Sequence, residues 1–286
     1  VKRLALIDGD EILHRVGWGS QKTYHRVYIQ GEERDGYIQE FNDIRDAKRY
    51  IEQDEDLFIE SITTSFSKAR VTYNTDSFVK TIQEETKSTD LLILFSAPFN
   101  YRNNISTIQE YKGNRKDYTK PIHYETIKSH LKKAYPWLSD DFHGLEADDL
   151  LAILYNEYDP NKEGKAIICT QDKDLLQVPG WHFNTRSMEL FEISEVEGLR
   201  NFYKQMYTGD ITDNIPGFKE ITGKNKSKKH LEYIEGTEKE MYKTVRRLYA
   251  NRLGAKDYDD LDCILLEIGH LLYMKRHWTD EYNIPT

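Results

Sequence analysis

Cysteine is nearly absent: the 286 residues contain two, Cys169 and Cys263, far apart in the chain. Neither a disulfide framework nor a cysteine-built zinc site is suggested by that usage. Long apolar runs are missing as well. None approaches the length of a membrane span, and the first is too short for a signal peptide, so we expect a soluble, cytoplasmic protein with no membrane partner. Several short motifs of site chemistry are also lacking. No G-x-G-x-x-G follows the first apolar run, and the nearest approach to a Walker A loop, Gly217 to Gly223-Lys224, fails on spacing and continues into Asn225. There is no His-Glu-x-x-His, the nine histidines are scattered, and no G-x-S-x-G elbow is present. Repeats, low-complexity tracts and Pro/Gly/Ser-rich linkers are absent too. What remains is a chain long enough for one large domain or two small ones, with 31% charged residues but apolar residues throughout, which argues for a folded core.

Three short apolar runs read as strands: residues 4–7, 91–95 and, after the turn at Gly164, 166–170. Continuous apolar runs of this length suit strands covered on both faces, as in a parallel sheet. Leu151, Leu154, Tyr155 and Tyr158 fall at i, i+3, i+4 and i+7 and predict a helix ending near Pro160. Segments 43–57, 76–87, 240–253 and 261–276 also read as helices. Tyr24–Ile29 and Tyr37–Phe41 predict a hairpin across Gly31–Gly36. The alternation implies an α/β protein, a mostly parallel central sheet flanked by helices. We expect residues 1–200 to form this core and 201–286 a helical part.

Acidic residues are the most informative feature. Two apolar runs lead into Asp8-Gly9-Asp10 and Asp172-Lys173-Asp174; Glu146-Ala147-Asp148-Asp149 lies between them, and Asp210-Ile211-Thr212-Asp213 follows. Carboxylates gathered in this way repel one another unless something positive sits among them. Mg²⁺ suits such a set, because it takes a few carboxylate oxygens together with water and substrate phosphate. Asp8 and Asp172 fall at or past the carboxyl ends of expected parallel strands, where open α/β sheets bind ligands. On an ideal helix Asp148 sits about 200° from Glu146, so Glu146 must precede the helix or reach around its first turn. Acidic residues also favour helix N-termini through capping and the dipole, and Asp172 and Asp174 alone would serve as turn residues. Four clusters in one chain favour the shared metal site.

A net charge of −9 weighs only weakly against a nucleic-acid partner, since an acidic site inflates the count and binding depends on local patches. One such patch runs from Arg102 to Lys133, with Lys112, Arg115 and Lys116 among its cations and Tyr101, Tyr111, Tyr118 and Tyr124 interleaved. Cations for phosphates and rings for unstacked bases make a single-strand binding surface. Most of this stretch also reads as an ordinary solvated helix; the tight group Tyr111-Lys112-Gly113-Asn114-Arg115 is the exception. A second patch holds Lys219, Lys224, Lys226, Lys228 and Lys229 around Gly217 and Gly223, where a glycine-containing turn would offer backbone N–H groups to a phosphate.

Taken in order, Leu6-Ile7-Asp8-Gly9-Asp10, Tyr111–Arg115, Leu145–Asp149, Gln171–Asp174 and Gly209-Asp210-Ile211-Thr212-Asp213-Asn214-Ile215-Pro216-Gly217 resemble the motifs of the 5′-nuclease family. That family includes flap endonucleases and the 5′→3′ exonuclease domain of bacterial DNA polymerase I. The likeness is greatest to bacteriophage exonucleases of the T7 gene 6 type, and residues 19–90 match poorly. The resemblance implies a PIN/5′-nuclease-like fold with a helical arch at about 101–135. It implies that Asp8, Glu146, Asp148, Asp149, Asp172, Asp174, Asp210 and Asp213 surround two divalent ions, Mg²⁺ or Mn²⁺. Lys112 and Arg115 would act on the scissile phosphate beside the catalytic Asp148 and Asp172. Arg102, Tyr111, Lys116, Gly217, Lys219, Gly223, Lys224, Lys226 and Lys228 would contact DNA, with K⁺ in a helix-hairpin module over Met206–Leu231.

Two departures stand out. The second strand ends in Ser96-Ala97-Pro98 where the family carries an aspartate, so one metal position is expected either to be weaker or to be filled by Asp10. Glu220 stands where the hairpin module has a glycine. The activity implied is 5′→3′ exonucleolytic or 5′-flap cleavage of duplex or branched DNA, or of RNA in an RNA–DNA hybrid. The enzyme would act as a monomer in phage replication or recombination, in the host cytoplasm. A PIN-type RNA endonuclease and an inactive DNA-structure binder are the alternatives.

Overall fold

The computed structural model describes residues 2–285 apart from 32–35, 53, 55, 116–117 and 254–259. Its strands are β1 (Leu4–Asp8), β2 (Gln21–Ile29), β3 (Gln39–Phe41), β4 (Leu57–Ser65), β5 (Asp90–Leu94), β6 (Trp137–Leu138), β7 (Ala166–Cys169), β8 (Gly180–Asn184) and β9 (Glu189–Ile193). The chain divides into two compact units: Val1–Glu11, Val79–Thr119 and Ala134–Thr286 form one, Ile12–Phe78 and Lys120–Lys133 the other.

The first unit holds a six-stranded sheet in the order β6-β5-β1-β7-β8-β9, parallel except for β9. Ala5, Leu6 and Ile7 of β1 are buried, as expected of a central strand covered on both faces. Register decides what this sheet presents. Asp8 pairs with Leu94, and Ile7 with both Ile93 and Cys169, so the three strands end together. The residues that follow them, Gly9-Asp10, Ser96 and Thr170–Asp172, are thereby delivered to one sheet edge. Gly9 makes the first turn possible: a Cβ there would stand 2.6 Å from the carbonyl oxygen of Leu94. Helix Ala147–Tyr158 packs Leu150, Leu151 and Tyr155 in one cluster with Leu6, Leu94 and Ile168.

A second apolar cluster of this unit lies among helices Glu195–Thr208, Phe218–Thr222, Glu238–Ala250 and Leu261–Leu272, with Tyr203, Tyr207, Phe218, Tyr249 and Leu265 fully buried. Ser194 with Glu197, and Thr237 with Glu240, form capping boxes that fix where two of these helices begin. Gly209, at φ +66°, ends the first of them; a Cβ there would meet the Gly217 nitrogen at 2.5 Å.

The other unit carries the antiparallel sheet β3-β2-β4, helix Ile44–Ile51 capped by Asp43, and most of helix Tyr124–Ala134. The expected hairpin is present, with Val27 opposite Gln39. The helix expected over 43–57 stops at Ile51, and the chain returns as β4. Among the described residues no continuous helix crosses 101–135. Arg102–Ile105 makes one turn, Gly113–Arg115 a 3₁₀ turn, and the helix proper starts at Tyr124. Lys112 at φ +54° and Pro121 interrupt any longer one. Among the described residues no helix is long and apolar enough to cross a membrane.

Candidate active site

Five of the expected carboxylates gather at the sheet edge. Asp8, almost fully buried, accepts the Glu11 N–H at 3.0 Å and the Thr170 hydroxyl at 3.1 Å. Asp10 accepts the Ser96 N–H at 3.0 Å, so its carboxylate does stand at the end of β5. Asp172 caps the turn after β7 by accepting the Asp174 N–H at 2.8 Å. Asp174 takes a hydrogen bond from the Gln205 amide at 2.7 Å. Asp148, in the first turn of its helix, makes no hydrogen bond or ion pair among the described residues.

These groups hold one another's protons on. Burial, then Asp10 and Glu11, push the Asp8 carboxyl well above the usual range. Burial, Asp172 and Asp8 do the same to Asp148, and burial with Asp172 and Asp210 carries Asp174 up to about 7. Burial raises Asp172 too, against the help of the Asp174 N–H. The donor set therefore fits a hard divalent cation in its chemistry: all oxygen, and short of positive charge. Among the described residues no three acidic, histidine or cysteine side chains form a closed chelate, so an ion here would need water or substrate oxygens to complete its shell.

Asp174 also has the Lys173 ammonium at 3.4 Å. The other four expected ligands are placed differently, because the chain's own cations hydrogen-bond directly to them. Asp149 is fully buried and gives both oxygens to Arg102, at 2.6 and 2.9 Å. Arg102, expected on a DNA-facing surface, is instead buried with all five N–H groups used. Its remaining bonds run to Glu146 at 3.2 Å and to the Leu271 and Tyr273 carbonyls, each at 3.0 Å. Glu146 does precede the helix, as its N-cap. Burial would raise its pKa, but Lys112, Arg102 and the Tyr111 hydroxyl outweigh burial and hold it at about 2. Tyr111, expected to face bases, is buried, and its hydroxyl donates to Glu146 at 2.7 Å and Asp213 at 2.8 Å. Asp213 also pairs with Arg115 at 2.5 Å and Lys112 at 3.6 Å. Asp210 takes the Lys173 ammonium at 2.6 Å, which lowers its pKa in spite of burial.

Lys112 and Arg115 thus stand beside the carboxylates, held to Glu146 and Asp213, with Arg115 still 40% exposed. Lys116 lies outside the described residues. In the lysine-rich segment the expected free N–H groups are in use. The Gly217 N–H donates to Glu220 at 3.0 Å and the Gly223 N–H to the Lys219 carbonyl at 2.8 Å, which leaves neither for a phosphate. At Gly217 the acceptor is the side chain of Glu220, in the first turn of helix Phe218–Thr222. Lys226 is half-buried on the Thr208 carbonyl. Lys219, Lys224 and Lys228 are exposed and have no ion-pair partner among the described residues. One residue that the sequence did not single out also belongs here. Glu11 accepts the Gln171 N–H at 2.8 Å and the Thr185 hydroxyl at 2.5 Å, tying the turn after β7 to helix Gly9–Gly19; its only signal was a third acid following Asp8-Gly9-Asp10.

Comparison with known proteins gives one family. The model described as the 5′-3′ exonuclease, N-terminal resolvase-like domain matches residues 58–204. No curated protein matches the chain. Among solved structures, the D15 protein of bacteriophage T5 co-crystallised with metal ions aligns with TM-score 0.48 and 13% identity, over 94% of this chain and 99% of that one. The T5 D15 flap endonuclease in a pseudo-enzyme-product complex with DNA and metal ions gives 0.48 and 13%, over 95% and 99%. The T5 5′-exonuclease with bound zinc gives 0.47 and 12%, over 96% and 100%.

Proposed function

The chain belongs to the 5′-3′ exonuclease family and is a nuclease, and from that premise we propose that it cleaves DNA at 5′ ends or 5′ flaps in a reaction dependent on Mg²⁺ or Mn²⁺. The observation that carries the metal dependence is Asp148, a carboxylate without a hydrogen-bond or ion-pair partner among the described residues, whose carboxyl is raised by burial, Asp172 and Asp8. Asp8, Asp10, Asp148, Asp172 and Asp174 would hold the ions. A divalent ion bound there supplies Lewis-acid polarisation of a phosphoryl oxygen and lowers the pKa of an attacking water. Lys112 and Arg115 would neutralise charge developing on the phosphoryl oxygens, at the border between the uncompensated carboxylates and the paired ones. Lys219, Lys224 and Lys228 would hold the duplex through phosphates away from the cut.

The substrates we infer are duplex or branched DNA with a 5′ end, and RNA primers in hybrid, in phage replication or recombination. A gel assay with 5′- and 3′-labelled duplex, flap and RNA–DNA hybrid tests this directly. Release of nucleotides from the 5′ side with Mg²⁺, and none in EDTA, is the expected result. Cleavage that persists in EDTA, or proceeds only from the 3′ end, would overturn it.

A further inference from the structure

Lys112 and Arg115 lie on a strap, residues 106–115, whose only regular structure is the 3₁₀ turn Gly113–Arg115. Hydrogen bonds hold this strap in place. At one end the Glu267 carboxylate accepts the N–H groups of Thr107 at 2.7 Å and Ile108 at 2.8 Å. At the other, the strap lies along loop 210–215, and three successive carbonyls of that loop point at it. Ile211 accepts the Asn114 amide at 2.7 Å, Thr212 accepts Arg115 Nε at 3.2 Å, and Asp213 accepts the Lys112 N–H at 2.8 Å.

Asn214 sets the register between the two. Its backbone is left-handed, φ +58°, the conformation that closes the short bridge between Asp210 and Ile215. Its side chain grips the strap twice: Nδ2 donates to the Glu110 carbonyl at 2.8 Å, and Oδ1 accepts from the Gln109 amide. Glu110 is two residues before Lys112, so this grip decides where the Lys112 ammonium can reach. Lys112 is itself left-handed, φ +54°, a conformation that any Cβ resists and that the contacts on both sides must maintain. We propose that Asn214 is a positioning residue for cleavage: its double clamp on Gln109 and Glu110 holds Lys112 and Arg115 at the carboxylate cluster, in the place where they meet a phosphate. The assignment rests on the phosphate-neutralising role given above to those two cations.

Asn214→Gly is the informative variant, because glycine keeps the left-handed backbone without strain and deletes only the clamp. Single-turnover cleavage at saturating DNA should fall on the order of tenfold to a hundredfold, the scale of a misplaced catalytic group. DNA affinity and melting temperature should stay nearly unchanged, while amide exchange over 106–115 accelerates. Gln109→Ala, which removes one of the two contacts, should move each readout in the same direction by less, and it carries the test if the glycine variant folds poorly. The decisive comparison uses protein already carrying Lys112→Ala and Arg115→Ala. There Asn214→Gly should cause little further loss, since it acts through the groups that are gone. A full additional loss in that background, or an unchanged rate in Asn214→Gly itself, overturns the assignment alone. Wild-type cleavage by the Lys112→Ala, Arg115→Ala protein instead overturns the role of the cations, and the assignment with it.

Discussion

Asp148 pulls stability and activity in opposite directions, because a carboxylate with no partner destabilises the metal-free fold that a metal ion would relieve. Asp148→Asn keeps the shape and removes the charge. Cleavage should drop on the order of a thousandfold, at tenfold per 1.36 kcal/mol of lost charge stabilisation. In EDTA the same variant should melt at a higher temperature than wild type, and its gain in melting temperature on adding Mg²⁺ should shrink. A variant that melts lower in EDTA would remove Asp148 from the uncompensated set. Asp10 gives a second test. Since it already accepts the Ser96 N–H, Asp10→Ala should raise the Mg²⁺ concentration needed for half-maximal rate, and adding Ser96→Asp should lower it again. Aspartate at 96 can still accept the Ala147 N–H that the Ser96 hydroxyl accepts at 3.0 Å, so the helix keeps its cap. No change of Mg²⁺ requirement in Asp10→Ala would leave Asp10 a turn residue. The Asp-x-Asp spacing after apolar runs singled out Asp8, Asp10, Asp172 and Asp174, and the tetrad Glu146-Ala147-Asp148-Asp149 added Asp148. The division of the acids into paired and unpaired sets was not, because it depends on partners such as Arg102, which lies 47 residues from Asp149. Arg102 and Tyr111 looked like surface groups for the same reason: a sequence shows that a side chain is polar, not that its hydrogen bonds are already used.

At the scale of elements, the Arg102–Asp149 pair fastens helix Ala147–Tyr158 to the end of helix Leu261–Leu272. Arg102→Ala would leave Asp149 buried and uncompensated, and should destabilise the protein by about 3–5 kcal/mol in urea unfolding. Replacing both partners, Arg102→Met with Asp149→Leu, should recover much of that loss, because the desolvation of both ions disappears together. A loss below about 1 kcal/mol in the single variant would mean that water reaches Asp149 freely. The same pair explains a boundary the sequence misplaced. Periodicity carried the last helix to 276, yet it ends at Leu272, where Tyr273 turns extended. There Arg102 captures the Tyr273 carbonyl and Asp149 accepts the Lys275 N–H at 3.2 Å, both long-range contacts. The core strands were legible to within a residue, since buried parallel strands are apolar without interruption. β4 was not, because Leu57–Ser65 carries Glu60 and a run of hydroxyl residues and is mostly half-covered or exposed. β8 and β9 escaped as well: Gly180–Asn184 and Glu189–Ile193 mix polar with apolar residues, and their pairing comes from neighbours, β8 from β7 and β9 from β8.

For the whole molecule, the excess of buried negative charge becomes a pH dependence of stability. Asp8, Asp148, Asp172 and Asp174 all have carboxyl groups raised in the folded protein, Asp174 to about 7. Between the unfolded value of roughly 4 and these folded values, the folded state binds more protons than the unfolded one, so stability falls as pH rises through that window. Glu146, held at about 2 by Lys112 and Arg102 against burial, and Asp210, lowered by Lys173, work in the other direction. Their contribution is complete above the unfolded carboxylate range and is lost only as the pH drops below it. From about pH 5 to pH 8 the raised group therefore dominates, and the metal-free protein should melt at progressively lower temperature. Mg²⁺ should flatten the slope, since an ion among these carboxylates favours their charged forms. The overall charge of −9 also adds repulsion as pH rises, so wild type must be compared with Asp148→Asn, whose net charge differs by a single unit. A shallower slope for that variant in EDTA locates the effect at the cluster. Identical slopes would assign it to the general charge of the surface, and a melting temperature that rises from pH 5 to pH 8 without metal would show that the four carboxylates are not crowded in solution.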